Sequence, residues 1–162
     1  MLESDYLARF RQLTRSVSWG IELPNSWKNY FQEKGPSPSY PGDGRMHPRI
    51  RLRTHGVVFF DNPLPSVPRS SRPMGVYTKD FSRQGCGFLI NEQLFPEEEI
   101  RLVLPSFWTR LTVVRARRIT SHCYEIGATL NQRFDPEERA FQPCAVHGPS
   151  SLPSSEASTA SV

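Results

Sequence analysis

At 162 residues, with 37% hydrophobic and 22% charged side chains, the chain suffices for one domain with appendages, part folded around a core and part not. No apolar run approaches the roughly 20 residues of a membrane-spanning helix, the N-terminus MLESDYLARFRQ has charges where a signal peptide carries its apolar stretch, and three cysteines form no close pairing, so the expected location is cytoplasmic without membrane insertion. The net charge is only +4, but seventeen of the twenty basic residues are arginine, a flat charged fork suited to phosphate or nucleotide partners.

Residues 1–35 read as an N-terminal helical extension. Tyr6, Leu7, Phe10, Leu13 and Val17 recur at helical spacing, with Arg9, Arg11 and Arg15 on the other side. Pro24 stops this element, and Asn25-Ser26 can cap a short second helix carrying Trp27, Tyr30 and Phe31, ended by Gly35. These aromatics are expected to pack on the main domain, the alternative being an exposed partner-binding face.

Residues 36–48, PSPSYPGDGRMHP, read as a loop, and at Ile50 the periodicity switches to that of strands. IRLRTHGVVFF is the first strand. DNPLPSVPRSSRP follows as a long loop, because its prolines lack ladder donors; Arg69 and Arg72 within it are expected to be solvated. MGVYTKD, GCGFLI, EIRLVL, RLTVVRARRI and CYEIGATL are strand-like, separated by short polar or Pro-containing breaks. Among these breaks Glu97-Glu98-Glu99 reads as a solvated acidic turn, and Cys123 is expected in the barrel core. About six strands with tight connections predict an antiparallel barrel, whose closure removes exposed edges. DPEERAFQP predicts a short helix from Pro136 to about Phe141, capped by Asp135. The last fifteen residues hold six serines and one charge and are expected to be disordered. The organisation predicted is an extension over 1–35, a barrel domain with a basic arm over 36–142, and a tail over 143–162.

Two constellations carry chemistry. The first is Arg45-Met-His-Pro-Arg49, where Pro48 pushes His47 towards extended geometry, so the arginine pair belongs to a flexible arm entering the first strand. Arg51 and Arg53 alternate with Ile50 and Leu52 and are expected on the outer face. The second is Asp80-Phe-Ser82-Arg-Gln-Gly85, a turn between two strands in which Gly85 supplies backbone freedom. Asp80 and Ser82 can lie on one side of an extended chain. A carboxylate beside a hydroxyl suits an edge offering several N–H donors, as guanine does, while phosphates would be drawn to the arginine arm. The plainer role for both is to bond turn backbone.

An RxxxR pair leading into the first strand and a DxSxxG turn between later strands resemble the motifs of the PilZ domain, the bacterial receptor module for cyclic di-GMP. The likeness covers roughly residues 45–142; Tyr124–Leu130 resembles the family's closing strand and the helix after it the family's C-terminal helix. The resemblance implies a mainly β fold: a six-stranded antiparallel PilZ-type barrel with a short C-terminal helix and an N-terminal helical extension. It implies that Arg45 and Arg49 clamp phosphates and stack on guanine, that Asp80 and Ser82 bind guanine edges, and that Gly85 lets the backbone come close. It further implies a binding module without catalysis, with cyclic di-GMP as ligand, no cofactor, and an unidentified downstream protein partner. Gly44 stands where family members commonly carry a further arginine, which leaves one or two ligand molecules open, and Arg49-Ile-Arg-Leu-Arg53 also matches RxxxR. Arg115, Arg117 and Arg118 form either a basic patch beside the site or a plain charged face.

Other classes fit less well. A ligand-independent PilZ adaptor is the runner-up. A nucleic-acid-binding barrel is disfavoured because Asp61, Asp80 and Glu92 interrupt any basic stripe. No histidine lies near Ser82 to serve as base, so an enzyme is not expected. His122-Cys123 and Cys144-Ala-Val-His147 lack zinc spacing, so no metal is expected.

Overall fold

The computed structural model describes residues 1–38, 42, 44 and 47–143. The tail expected over 143–162 lies outside the described residues except for Pro143.

Eight antiparallel strands form one sheet: β1 (Gly35–Pro36), β2 (Ile50–Arg51), β3 (His55–Asn62), β4 (Met74–Phe81), β5 (Gly85–Ile90), β6 (Glu99–Val103), β7 (Trp108–Thr120) and β8 (Cys123–Phe134). Six of them run in the order β4-β3-β6-β7-β8-β5, and β5 pairs again with β4, which closes the barrel. Alternation drives the closure. Val58, Phe60, Phe88, Ile90, Ile100, Leu102, Leu111 and Ile126 point inward from the strands and fill one continuous core. The two-residue strands β1 and β2 add to the barrel at β4. The expected first strand is therefore split. Arg53 and Thr54 leave the ladder because the Thr54 N–H donates to Thr78 Oγ1 at 2.9 Å and Arg53 Nε donates to the Lys79 carbonyl at 3.0 Å.

The extension packs on the outside of the barrel. Helix α1 (Glu3–Ser16) buries Tyr6 and Phe10 against Val57, Phe59, Val103 and Trp108, and the Tyr6 hydroxyl donates to the Phe107 carbonyl at 2.9 Å. The helix ends at Ser16 rather than near Pro24. Val17 is already extended, Ser18 bridges to Met74, and Trp19 lies so close over Gly75 that a Cβ there would sit 2.3 Å from the indole. Backbone pairing with β4 outcompetes another helical turn.

The expected second helix is only a 3-10 turn at Tyr30–Gln32. Tyr30 packs with Leu89 and Cys123, its hydroxyl donates to the Thr78 carbonyl at 2.7 Å, and Arg53 lies 4.1 Å over its ring. Burial pushes the Tyr30 phenol well above its ordinary range, so it stays a donor. Cys123 thus sits under the extension and not in the barrel core, and Arg53 is covered instead of projecting into solvent, its side chain 8% exposed. Tyr30→Phe should lower stability by about 0.5–1.5 kcal/mol, the net value of one such hydrogen bond, as read by urea unfolding.

Two loop expectations are overturned. Glu98 is fully buried and takes Arg69 Nε and Nη2 at 2.7 and 2.8 Å, plus the Phe95 N–H at 2.8 Å. Arg69 also reaches the Gln93 carbonyl at 2.8 Å and lies over Phe60, so neither residue is solvated. At the C-terminus the helix expected from Pro136 is a 3-10 turn at Glu138–Phe141 with no side-chain cap. Arg101 holds the end of this turn, donating to the carbonyls of Arg139, Ala140 and Gln142 at 2.7, 3.1 and 2.7 Å, groups that a helix end leaves without an internal partner.

Candidate functional site

The turn between β4 and β5 is built by its own side chain. The Ser82 N–H donates to the Gly85 carbonyl at 2.9 Å, and Ser82 Oγ accepts from the N–H groups of Gly85 and Gln84 at 3.1 and 3.3 Å. Both ways a serine can hold a tight turn are used, which is the plainer role the sequence allowed for it. The Gln84 carbonyl accepts from the Leu130 N–H at 2.8 Å, so the turn is also fixed to β8. Gly85 does not have the positive backbone angle that a freedom argument requires. Its need is for space: a Cβ there would lie 3.1 Å from the Ala128 carbonyl, with Arg49 Nη2 and Ser82 Oγ at 3.9 Å.

Asp80 stands at the end of β4, where a register shift between Thr78 and Asp80 loosens the ladder with β5. Its residue is 5% exposed, and its Oδ1 accepts from Arg49 Nη1 at 3.2 Å. The chain brings them together because β2 pairs Arg51 with Asp80, and the Ser37 N–H holds the Arg49 carbonyl at 2.8 Å. Arg49, Asp80, Ser82 and Gly85 therefore converge on one corner of the barrel's outer face. Arg45 lies outside the described residues. Of the alternative arginine register, Arg53 is bound to the Lys79 carbonyl and to Glu33, away from this corner.

A cavity of about 260 Å³ opens at the corner, bounded by Arg49, Ser82, Gly85, Arg115, Gly127 and Thr129. Three of its determinants escape a motif reading. A Cβ on Gly87 would meet Asp80 Oδ1 at 2.7 Å, so the missing side chain is what lets the carboxylate lie against β5. A Cβ on Gly127 would meet Arg115 Nε at 2.9 Å, so the arginine lies flat across β8. Arg115 arrives there through a bulge, the register shift between Val113 and Arg115, which re-aims the side chain. For the two glycines the only sequence signal was their place in the middle of two strand patterns, GCGFLI and YEIGATL, and for Arg115 it was the basic run with Arg117 and Arg118.

The charges around the cavity divide clearly. Arg117 and Lys79 both pair with Glu125, at 2.8 and 2.7 Å. Burial opposes ionisation of Glu125, but the hydrogen bonds from Lys79 and Arg117 outweigh it and hold its carboxyl below the ordinary range. Arg115 has no carboxylate partner among the described residues and borders the cavity. The basic-patch reading therefore holds for Arg115 and not for Arg117.

A second polar cavity, about 540 Å³, lies beside the C-terminal turn and is larger. Two of its arginines are already engaged, Arg101 with three carbonyls and Asp61 and Arg139 with Glu137, while the third, Arg110, lies over the rings of Trp108 and Phe134. Glu99 and Asp61 also line it, which disfavours an anion there. Size alone does not make it the site. Among the described residues no three His, Cys, Asp or Glu side chains cluster as a metal site would require, and no helix is long and apolar enough to cross a membrane.

Comparison with curated proteins finds no match. A family model described as PilZ domain matches residues 43–141, a span that holds both motifs and all six strands of the barrel. The chain belongs to the PilZ domain family, whose members are cyclic di-GMP receptors.

Proposed function

We propose that this protein is a cytoplasmic receptor that binds cyclic di-GMP at the corner formed by Arg49, Asp80, Ser82 and Gly85, and passes the event to a protein partner. Arg45 and Arg49 clamp phosphate and stack on guanine. Asp80 accepts from guanine N–H groups, Ser82, whose two acceptor positions hold the turn, donates its O–H to an acceptor on the guanine edge, and Gly85 keeps the turn low enough for the ring to approach. Arg115, lying flat over Gly127 at the cavity edge, adds a second planar cation for a phosphate or a base. Gly44 lacks the further arginine, which favours one ligand molecule per chain.

The single observation that carries this reading is the 3.2 Å pairing of Arg49 with Asp80 at the open cavity. The two groups that guanine and phosphate would need here satisfy each other. Binding exchanges that pair for two new sets of charge-assisted bonds, which is why the ligand can move the arm. The arm is tied to the extension where Gly35 pairs with Arg51 and where Glu33 lies 3.3 Å from Arg53. A shift of the arm therefore reaches the N-terminal residues. We assign the extension to residues 1–35, the ligand-binding barrel to 36–142 and the tail to 143–162, with no catalytic role for any of them.

Calorimetric titration of the whole chain with cyclic di-GMP tests this. Saturable binding with about one ligand per chain is expected, undiminished by Arg139→Ala, because that exposed side chain pairs with Glu137 and lies over Phe134, away from the corner. Absence of saturable binding, or an equal affinity for any single-stranded oligonucleotide with a steep salt dependence, would overturn it.

A further inference from the structure

Next to the ligand corner, at one mouth of the barrel, lies an apolar groove of about 860 Å³. Phe81, Phe107 and Leu130 line it where they pack on the barrel core, and Pro48, Ile50 and Leu52 line it from the chain entering β2. Ile50 is 60% exposed and Leu52 is also exposed. A lone exposed aliphatic residue is ordinary, but two beside a continuous apolar trough mark a surface that something covers.

The charges say what that something is. Arg51, Arg83 and Arg133 stand around the groove, and among the described residues no carboxylate lines it. Glu33 comes no nearer than 3.9 Å to Arg51 Nε, and Arg83 and Arg133 have no acidic partner among the described residues. An apolar centre whose rim keeps Arg83 and Arg133 without an acidic partner among the described residues fits a polypeptide with apolar side chains flanked by carboxylates. It does not fit nucleic acid. Bases need open ring faces, whereas Arg133 covers the face of Phe107 at 4.1 Å and Phe81 meets Phe107 edge-on at 75°.

The groove also shares walls with the ligand cavity: His47 and Ser82 border both. Arg49 faces the nucleotide corner, and its chain neighbour Ile50 lines the groove. A backbone shift at Arg49 moves Ile50 with it, because they are covalent neighbours entering a strand of two residues.

We infer that this groove docks a short acidic, amphipathic segment of a partner protein, and that cyclic di-GMP changes its affinity by moving the arm residues that form one wall. The docking stands on the groove itself; its response to the nucleotide rests on the function proposed above.

The test is a selection of short random displayed peptides on the immobilised full chain. Enriched peptides are then measured by fluorescence anisotropy against wild type, Ile50→Asp, Arg83→Glu and Arg133→Glu, with and without cyclic di-GMP. Enriched sequences should combine Leu, Ile or Phe with Asp or Glu. Each variant should lose about ten-fold or more in affinity, and a peptide with its acids changed to lysine should regain binding to Arg133→Glu. All three positions are exposed, so the variants keep the fold. No enrichment, enrichment without acids, or affinities indifferent to the three variants would overturn the docking. So would sedimentation showing a dimer of this chain that Ile50→Asp dissolves, since the occupant would then be a second copy. Saturating nucleotide should shift the peptide affinity several-fold; an unchanged affinity in nucleotide-loaded protein overturns the coupling alone. If wild type binds no nucleotide, the receptor reading fails, while the peptide measurements still decide the groove.

Discussion

Arg69→Ala is expected to be the most damaging single substitution outside the barrel core, costing about 3–5 kcal/mol of stability in urea unfolding. The Glu98 carboxylate is fully buried, and two of its three hydrogen bonds come from Arg69. Alanine removes those donors and leaves a charge with only the Phe95 N–H. In the intact chain Glu98 has no exposed surface, so its carboxylate depends on these donors and not on solvent. Arg72→Ala, in the same loop but exposed, should change stability by no more than about 0.5 kcal/mol. Replacing both members, Arg69→Met with Glu98→Leu, should recover much of the loss, since a buried pair is costly mainly when broken. A small effect of Arg69→Ala would mean that Glu98 reaches solvent.

The second large effect falls on the ligand. Arg49→Ala should weaken cyclic di-GMP binding by about 2–5 kcal/mol, enough to carry a micromolar complex out of the measurable range. Arg49 is the described half of the arginine pair, and its side chain is mostly covered yet opens on the cavity. Alanine deletes the fork and also leaves the Asp80 carboxylate, 5% exposed, without its cation, so a modest fall in melting temperature accompanies the loss. Arg49→Lys separates the two effects. Lysine keeps a charge near Asp80 but not the planar, two-pronged contact, so stability should return more fully than affinity. Wild-type affinity in Arg49→Ala would show that the arm does not clamp the ligand.

The barrel was legible because a closed sheet writes its core into every second residue, as in Val58 and Phe60 or Phe88 and Ile90. Asp80, Ser82 and Gly85 were legible as a spaced set, although the reason for Gly85 turned out to be room beside the Ala128 carbonyl and not backbone freedom. Less could be read where a partner comes from far along the chain. Glu98 looked solvated because nothing within its own turn neutralises it; Arg69, 29 positions away, does. The predicted C-terminal helix had every local signal and is still only a 3-10 turn, its end held through the carbonyls of Arg139 and Ala140 by Arg101, which lies far back along the chain. Gly87 and Gly127 matter through the side chains that lie on them, Asp80 and Arg115, a relation that exists only once β5 has paired with β4 and β8 with β7.

The measurement that bears most directly on the account is amide chemical-shift mapping of the full chain during titration with cyclic di-GMP. It separates the two polar cavities without altering a residue. Saturable shifts concentrated in Ser82–Gly87, Val114–Arg115 and Gly127–Thr129, with Ile100, Arg101 and Trp108 nearly still, are the predicted result. Saturable shifts confined to the residues around Arg101 and Trp108 would contradict it, and would move the ligand to the opposite cavity.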